Sequence, residues 1–155
     1  MPMINARLAS LGITLPQPAL PAGSYVPYVI TGNLVYIAGQ LPRLNEQVVA
    51  LGRVGAEIEI EAAYKAAEIC GLNILAQLNT ACGGDLDRVE RCVKLCGFVA
   101  SAPGFYDHPK VINGASELMM KVFGEAGRHA RCAVGVFTLP ANAAVEVDAI
   151  FSLKA

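Results

Sequence analysis

Residues 131–140, RCAVGVFTLP, and residues 144–151, AVEVDAIF, form two β-patterned runs that meet at a turn containing Leu-Pro. Each run carries a charged residue among apolar neighbours, Arg131 in the first and Glu146 in the second. A charge in a strand that otherwise belongs to a core costs free energy unless it is paired or used. These two residues therefore mark either a functional site or a structural ion pair.

The chemistry of the two side chains fits a site that binds an acid. The planar guanidinium of Arg131 presents a fork of donors that matches a carboxylate. Glu146, held in a pocket nearby, is a candidate general base or water-positioning group. We therefore expect a small cleft that grips an acid and carries out proton chemistry. From these two residues alone, an ion pair between neighbouring strands is the simpler interpretation.

The length and composition indicate one compact domain that is more apolar than usual. The chain has 155 residues, of which 54% are hydrophobic and 16% are charged, more apolar than an average soluble domain. We expect some apolar surface to be buried between subunits. No apolar run reaches roughly 18 residues, and residues 1–7 lack the apolar segment of a secretory signal. The expected location is the cytoplasm, without membrane association.

Charge and cysteine content limit the possible partners. The net charge is −1, and lysine and arginine form no cluster, so a nucleic-acid partner is not expected. The cysteine count is five, an odd number that indicates free thiols in a reducing compartment. On a strand, Cys92 and Cys96 would lie about 13 Å apart, too far to share a zinc ion. With His108 and His129 isolated in the sequence, we expect no metal site.

The order of the predicted elements favours an α+β fold. After a helix at 4–11 and a proline-rich connector, the pattern predicts strands at 25–31, 34–40 and 47–54, a helix at 57–82, a strand at 89–101, a helix at 108–126, and strands at 131–139 and 144–153. Two long helices among strands predict a mixed sheet with both helices on one face. The other face needs a cover, which we expect from a symmetric neighbour. We assign residues 1–22 to an N-terminal helical arm with its connector and residues 23–155 to one domain.

The chain resembles a known family at two places. Residues 32–42, GNLVYIAGQLP, are similar to the Gly-Asn…Ser-Gly-Gln-Ile-Pro signature of the RidA/YjgF family. Arg131, the Leu-Pro turn and residues 145–147, VEV, are similar to its C-terminal Arg…Leu-Pro…Val-Glu-Ile signature. This family comprises reactive-imine deaminases, once labelled endoribonuclease L-PSP or translation inhibitors. The resemblance covers about residues 23–153, and the arm is similar to that of a longer subgroup.

The resemblance implies a fold, an assembly and a reaction. The fold would be chorismate-mutase-like, assembled as a homotrimer with three clefts at the subunit interfaces. The reaction would be the hydrolysis of 2-imino or enamino acids to 2-oxo acids and ammonia, without cofactor or metal. The partner would therefore be a small carboxylic acid and two further copies of the chain.

The resemblance also implies roles for individual residues. Arg131 matches the arginine that clamps the substrate carboxylate, and Glu146 matches the glutamate that positions the attacking water. Tyr25 matches the tyrosine of the cleft wall. Gly39 matches the glycine whose backbone amide approaches the substrate, which a residue without a side chain permits. Asn113 resembles a helix asparagine that faces the cleft, although its spacing to Arg131 is shifted by one residue.

Two departures affect the expected substrate preference. Ala38 stands where the family commonly has serine, and Ala133 stands at the substrate-pocket position where many members have cysteine. Two of the assignments have simpler alternatives: Tyr25 could be an ordinary strand residue and Asn113 an exposed helix residue. We expect Arg128 and His129 to be surface residues of a loop.

Three function classes fit these residues to different degrees. An imine carbon is already electrophilic, so a protein need only hold the carboxylate, place water and move protons. The presence of both Arg131 and Glu146 favours such an enzyme. A small-carboxylate-binding or regulatory trimer with little turnover is the alternative. An endoribonuclease is third, because the chain has no basic track and its two histidines, His108 and His129, are not closely spaced in the sequence.

Overall fold

The computed structural model describes residues 3–155, so residues 1 and 2 of the predicted arm lie outside the described part. Its elements are α1 (Met3–Ser10), β1 (Tyr28–Thr31), β2 (Leu34–Gln40), β3 (Arg43–Leu44), β4 (Gln47–Val48), α2 (Ile60–Ala81), β5 (Val89–Ala100), α3 (His108–Phe123), β6 (Ala130–Val136) and β7 (Val145–Leu153). Short 3-10 turns occupy Leu86–Arg88, Gly124–Gly127 and Pro140–Asn142.

Five strands form one mixed sheet in the order β1-β2-β7-β5-β6. All neighbours are antiparallel except β5 and β6, which run parallel and are joined by the crossover helix α3. Burial alternates along β7, where Val145 and Val147 are buried and Glu146 lies between them half-buried. The buried side chains form a core with α2 and α3. The predicted α+β fold, with both helices on one face of the sheet, is confirmed.

Helix α2 carries the apolar stripe that its sequence predicts. The predicted stripe residues that are fully buried are Ala63, Ala67, Cys70, Ile74 and Leu78. The helix begins three residues later than predicted because residues 53–58 form a turn, in which the Glu57 carboxylate accepts a hydrogen bond from the Arg53 amide at 3.2 Å. It ends where Gly83 and Gly84 adopt positive φ angles of 68° and 89°, which glycine adopts at little cost.

Helices α2 and α3 cross at close range because glycines face the contact. A Cβ on Gly114 would overlap the carbonyl oxygen of Tyr64, and a Cβ on Gly71 would crowd the side chain of Leu118. The Tyr64 hydroxyl donates a hydrogen bond across the crossing to Glu117. This bond raises the pKa of Tyr64 to about 12. The glycines set the helix spacing, and the core beneath depends on it.

Two predicted strands are shorter in the structure. The strand predicted at 25–31 begins at Tyr28, because Pro27 has no amide hydrogen to donate to a ladder. The edge strand predicted at 47–54 covers only Gln47–Val48, which pairs with β3 in a separate two-stranded sheet. Positive φ angles of 59° at Ala50 and 110° at Gly52 turn the chain away from an extended course.

The other predicted elements agree within a few residues. β2 has the predicted bounds, and β5 and β7 each differ by one residue at an end. β6 ends at Val136 rather than at residue 139. Helix α3 ends at Phe123 rather than at residue 126, because Gly124 has a φ of 62° and the chain tightens into a 3-10 turn.

The N-terminal arm packs against the domain. Leu8 of α1 is buried in the common core. The amides of Met3 and Ile4 both donate to the Asp87 carboxylate at 2.8 Å, so an acidic side chain distant in sequence satisfies the start of α1. Farther along, Gln77 on α2 donates its side-chain amide to the carbonyl oxygen of Ala19 at 2.8 Å. The connector is therefore held across the domain at a defined point.

The sheet face opposite the helices keeps apolar side chains exposed. Val29, Tyr36 and Ile150 are cross-strand partners on this face, and Val134 lies on the same face at β6. Val29 is 52% exposed, and Tyr36 and Val134 are each 43% exposed. We call the face defined by these four residues the outer sheet face. Among the described helices, none combines the length and the apolar character needed to cross a membrane.

Candidate functional site

Arg131 lies on the edge strand β6, with its side chain on the helix side of the sheet. Its register partner on β5 is Leu95, which is fully buried beneath the helices. Nη1 of Arg131 donates to Oδ1 of Asn113 at 2.8 Å and to Oγ of Ser116 at 3.2 Å. Within residues 3–155, Nε and Nη2 have no acceptor. This second edge of the guanidinium remains available to a carboxylate.

Asn113 and Ser116 are three residues apart on α3, so both project from one side of that helix. Asn113 is half-buried, and Ser116 is only 6% exposed. The interpretation of Asn113 as an exposed helix residue is therefore wrong. The predicted site residues did not include Ser116, although its spacing of three residues from Asn113 on a predicted helix would place both on one side of that helix.

The side chain of His129 contacts Ser116. Its Nδ1 lies 2.6 Å from the carbonyl oxygen of Gly127, and its Nε2 lies 2.9 Å from Oγ of Ser116. Burial lowers the pKa of His129, and the charge of Arg131 lowers it further, against an opposing effect of the Gly127 carbonyl. The surface-loop interpretation is wrong for His129. It is confirmed for Arg128, which is exposed and pairs with Glu125 at 3.1 Å.

Glu146 lies on β7 with its side chain on the opposite face of the sheet. Its carboxylate occupies the position where a Cβ of Gly39 would be, so only glycine fits there without a shift. A bulge in the β2–β7 pairing between Ile37 and Gln40 brings Gly39 to this position. Burial raises the pKa of Glu146, and the neighbouring charge of Asp148, two residues along the same face, raises it further.

The side chain of Glu146 lines a cavity of about 620 Å³ between the connector and the end of β2. The cavity is lined by residues 19–22, Tyr25, Pro27, residues 38–41, Arg43, Pro140, Ala141 and Glu146. Tyr25 precedes β1 and is 52% exposed, so its interpretation as a strand residue is wrong. Its hydroxyl accepts a hydrogen bond from the Ala22 amide at 3.3 Å. Ala38 contributes only a methyl group where a serine would offer a hydroxyl.

The predicted site residues fall into two groups in one chain. We call Tyr25, Gly39 and Glu146 the glutamate half-site, and Asn113, Ser116, His129 and Arg131 the arginine half-site. Strand β5 lies between β6 and β7, and the two half-sites face opposite sides of the sheet. An ion pair between Arg131 and Glu146 on neighbouring strands is therefore wrong. Ala133 follows Arg131 on the same side of β6 and packs partly against the core.

The cysteines do not join either half-site. Cys70, Cys82 and Cys92 are buried, whereas Cys96 and Cys132 are half-buried register partners on the outer sheet face. Burial raises the pKa of Cys96 to about 11, with further contributions from Cys132 and Asp148. In the part of the chain that the structure describes, no three His, Cys, Asp or Glu side chains are arranged to hold a metal ion.

Comparison with known proteins places these features in a family context. The family model described as "YjgF/chorismate_mutase-like, putative endoribonuclease" matches residues 5–152. Protein TCP17 of Trypanosoma cruzi is 48% identical over 152 residues, which cover 97% of this chain and 94% of that protein.

Two solved structures extend the comparison. The protein Atu1372 from Agrobacterium tumefaciens is 49% identical with a TM-score of 0.91, over 98% of this chain and 93% of that one. RidA from the Antarctic bacterium Psychrobacter sp. PAMC 21119 is 27% identical with a TM-score of 0.59, over 88% of this chain and 94% of that one.

Proposed function

The chain belongs to the YjgF/chorismate mutase-like family, and we propose that it hydrolyses 2-imino or enamino acids to 2-oxo acids and ammonia. The observation that carries this proposal is the pair of complementary half-sites. Arg131 keeps one guanidinium edge without a partner in the described chain. Glu146 has a raised pKa and lies against a glycine backbone inside a cavity. Similarity to a protein named RidA supports the same reaction class.

Subunit assembly would join the half-sites. Arg131 and Glu146 lie on opposite faces of one sheet, so a single chain cannot close a site around both. We propose a homotrimer in which the outer sheet face is buried and each cleft takes its glutamate half-site from one chain and its arginine half-site from the next. The exposed Val29, Tyr36 and Val134 supply the apolar surface that such an assembly needs.

The proposed reaction needs only positioning and proton transfer. Arg131 binds the substrate carboxylate through its free edge, which fixes the imine carbon in the cleft. The Glu146 carboxylate removes a proton from water as the water oxygen bonds to that carbon, and the C=N electron pair moves to nitrogen. Glu146 then returns the proton to nitrogen, which gives a carbinolamine. Glu146 next carries the hydroxyl proton to the same nitrogen as the C=O bond forms and the C–N bond breaks, and ammonia departs. A carboxyl with a raised pKa suits both steps.

A trapping assay tests the proposed activity. An amino-acid oxidase generates 2-iminopropanoate, semicarbazide traps the remaining imine, and the protein should lower the yield of trapped product. Arg131→Lys and Glu146→Gln should each lose most of this activity, whereas Arg128→Gln on the adjacent exposed arginine should keep it. Carboxylate binding without any turnover would favour the binding trimer. RNA cleavage that survives repurification without imine hydrolysis would favour the endoribonuclease.

Co-expression of the two inactive variants tests whether clefts are shared between chains. In a mixed trimer, some clefts combine an intact Arg131 from one chain with an intact Glu146 from the next. Random mixing should restore about a quarter of the clefts. If the mixed trimers are as inactive as either parent, although both parents assemble normally, the shared cleft is wrong.

A further inference from the structure

We propose that His129 is a positioning residue for the Arg131 carboxylate clamp and that it acts through Ser116 in its neutral form. The inference rests on the proposed function only in taking a carboxylate as the ligand of Arg131. It concerns a residue that touches neither the ligand nor the reacting atoms.

The Gly127 carbonyl determines the tautomer of His129. A carbonyl oxygen can only accept, so Nδ1, which lies 2.6 Å from it, carries the hydrogen. In a neutral imidazole, Nε2 is then an acceptor. The Ser116 hydroxyl, 2.9 Å from Nε2, therefore donates to His129.

This direction leaves the Ser116 oxygen free to accept from Arg131. Nη1 of Arg131 lies 3.2 Å from that oxygen, and its other hydrogen goes to Asn113 at 2.8 Å. Both hydrogens of Nη1 are thus committed to α3. The guanidinium is held at two points, and its Nε and Nη2 have no acceptor in the described chain.

Protonation of His129 would disturb this arrangement. Nε2 would become a donor, so the Ser116 oxygen would face two donors, and its own hydrogen would need another acceptor. Ser116 is 6% exposed, so water cannot readily satisfy that hydrogen. A second positive charge would also lie next to Arg131. The clamp should therefore loosen as His129 becomes protonated.

The surroundings of His129 disfavour that protonation. Arg131 lies on β6, shortly after His129 in the chain, and Arg91 on β5 donates from its guanidinium to the Arg128 carbonyl at 2.7 Å. The Arg128–Glu125 pair lies beside the preceding turn, and Glu117 on α3 accepts from Tyr64. No carboxylate in the described chain accepts a hydrogen bond from His129. The neutral form is therefore expected near neutral pH.

Carboxylate binding across the pH range tests this inference. Calorimetry with pyruvate, which stays ionised throughout, should show a wild-type Kd that rises roughly 5- to 10-fold as His129 is protonated at acid pH. His129→Gln offers an amide donor and a carbonyl acceptor but cannot be protonated. This variant should retain the wild-type Kd for pyruvate at pH 8, and its Kd should no longer rise at acid pH. His129→Ala should raise KM at every pH with little change in kcat.

His108→Gln is the matched control. Nε2 of His108 also lies near a serine, 3.0 Å from Oγ of Ser101, but away from Arg131. This variant should keep the wild-type pH dependence. In the wild type, nitrogen NMR at pH 8 should find the hydrogen of His129 on Nδ1, a result that does not depend on any variant folding.

The outcomes separate this inference from the proposed function. If His129→Gln keeps the wild-type acid dependence of pyruvate binding, or if NMR places the hydrogen on Nε2, the positioning role is wrong even when imines are hydrolysed. If no imine is hydrolysed but pyruvate binding depends on His129 as described, the proposed function fails and the positioning role stands.

Discussion

At the scale of single residues, Arg131 shows how a charged side chain can be held on a strand without an ionic partner in the described chain. Its neighbours Asn113 and Ser116 are neutral, and both accept from the same nitrogen. They orient the guanidinium without neutralising its charge. A carboxylate that binds the free edge therefore meets a full positive charge in a partly desolvated setting.

Replacing the planar guanidinium of Arg131 by the compact ammonium of lysine should show how much the guanidinium contributes to kcat/KM. Arg131→Lys should lower kcat/KM for 2-iminopropanoate about 10- to 100-fold, because a lysine cannot bond Asn113, Ser116 and both carboxylate oxygens together. This corresponds to roughly 1.5–3 kcal/mol. Steady-state kinetics with size-exclusion chromatography would check it. Wild-type kinetics in a correctly assembled lysine variant would contradict the clamp.

Glu146 should lower the stability of the fold at neutral pH. Its folded pKa is raised from 4.5 by burial and by Asp148, so the folded state binds its proton more tightly than the unfolded state. Stability is therefore lost as the pH rises from about 4.5 through the folded pKa. Glu146→Gln should melt at a higher temperature than wild type at pH 7.5, and this advantage should shrink as the pH falls. Thermal melts at several pH values measure the difference in melting temperature between variant and wild type, and the exposed Glu61→Gln serves as control. If this difference is the same at every pH, the predicted effect of the raised pKa on stability is wrong.

At the scale of elements, the sequence predicted what local periodicity controls. The apolar stripe of α2 and the bounds of β2 follow from spacing and flanking glycine or proline alone. The insertion of β5 between β6 and β7 depends on long-range pairing, which a strand's own residues do not encode. For that reason Arg131 and Glu146 could be singled out from the sequence as candidate site residues, but their separation onto opposite faces of the sheet could not be predicted. The role of His129 was missed because its partners arise from a turn and a helix.

The crossing of α2 and α3 should be sensitive to a single methyl group. Gly114→Ala would place a Cβ on the carbonyl oxygen of Tyr64, so the helices must separate. Overpacking of this kind costs about 1–3 kcal/mol. Urea unfolding should show the loss, while Lys121→Ala on the exposed end of α3 should change stability little. A Gly114→Ala variant as stable as wild type would show that the crossing can relax freely.

The connector should act on the glutamate half-site through one anchor. Gln77→Ala removes the bond to the Ala19 carbonyl and frees residues 19–22, which line the cavity beside Glu146. We expect a higher KM with a smaller change in kcat, together with faster amide exchange confined to the connector. Thr80→Ala, one turn farther along α2, is the control because its hydroxyl bonds only within the helix. Unchanged exchange in Gln77→Ala would mean that the connector is held elsewhere.

At the scale of the whole molecule, assembly and activity should fail together. A charge on the outer sheet face, as in Val134→Asp, should prevent the trimer from forming and abolish imine hydrolysis, although Arg131 and Glu146 are untouched. Sedimentation velocity and kinetics on the same sample check both. Leu11→Asp places the same charge on an exposed apolar residue after α1, and it should leave both unchanged. An active monomer would contradict the need for assembly.

The close fit between Gly39 and Glu146 also constrains how this lineage can change. If Gly39 is replaced while Glu146 is present, the new side chain collides with the carboxylate. If Glu146 is first replaced by a shorter residue, the space for a side chain at position 39 becomes free. Substitutions at the two positions are therefore order-dependent. A descendant that abandons this glutamate is free to fill position 39 afterwards, and each such step makes a return to the ancestral pair harder.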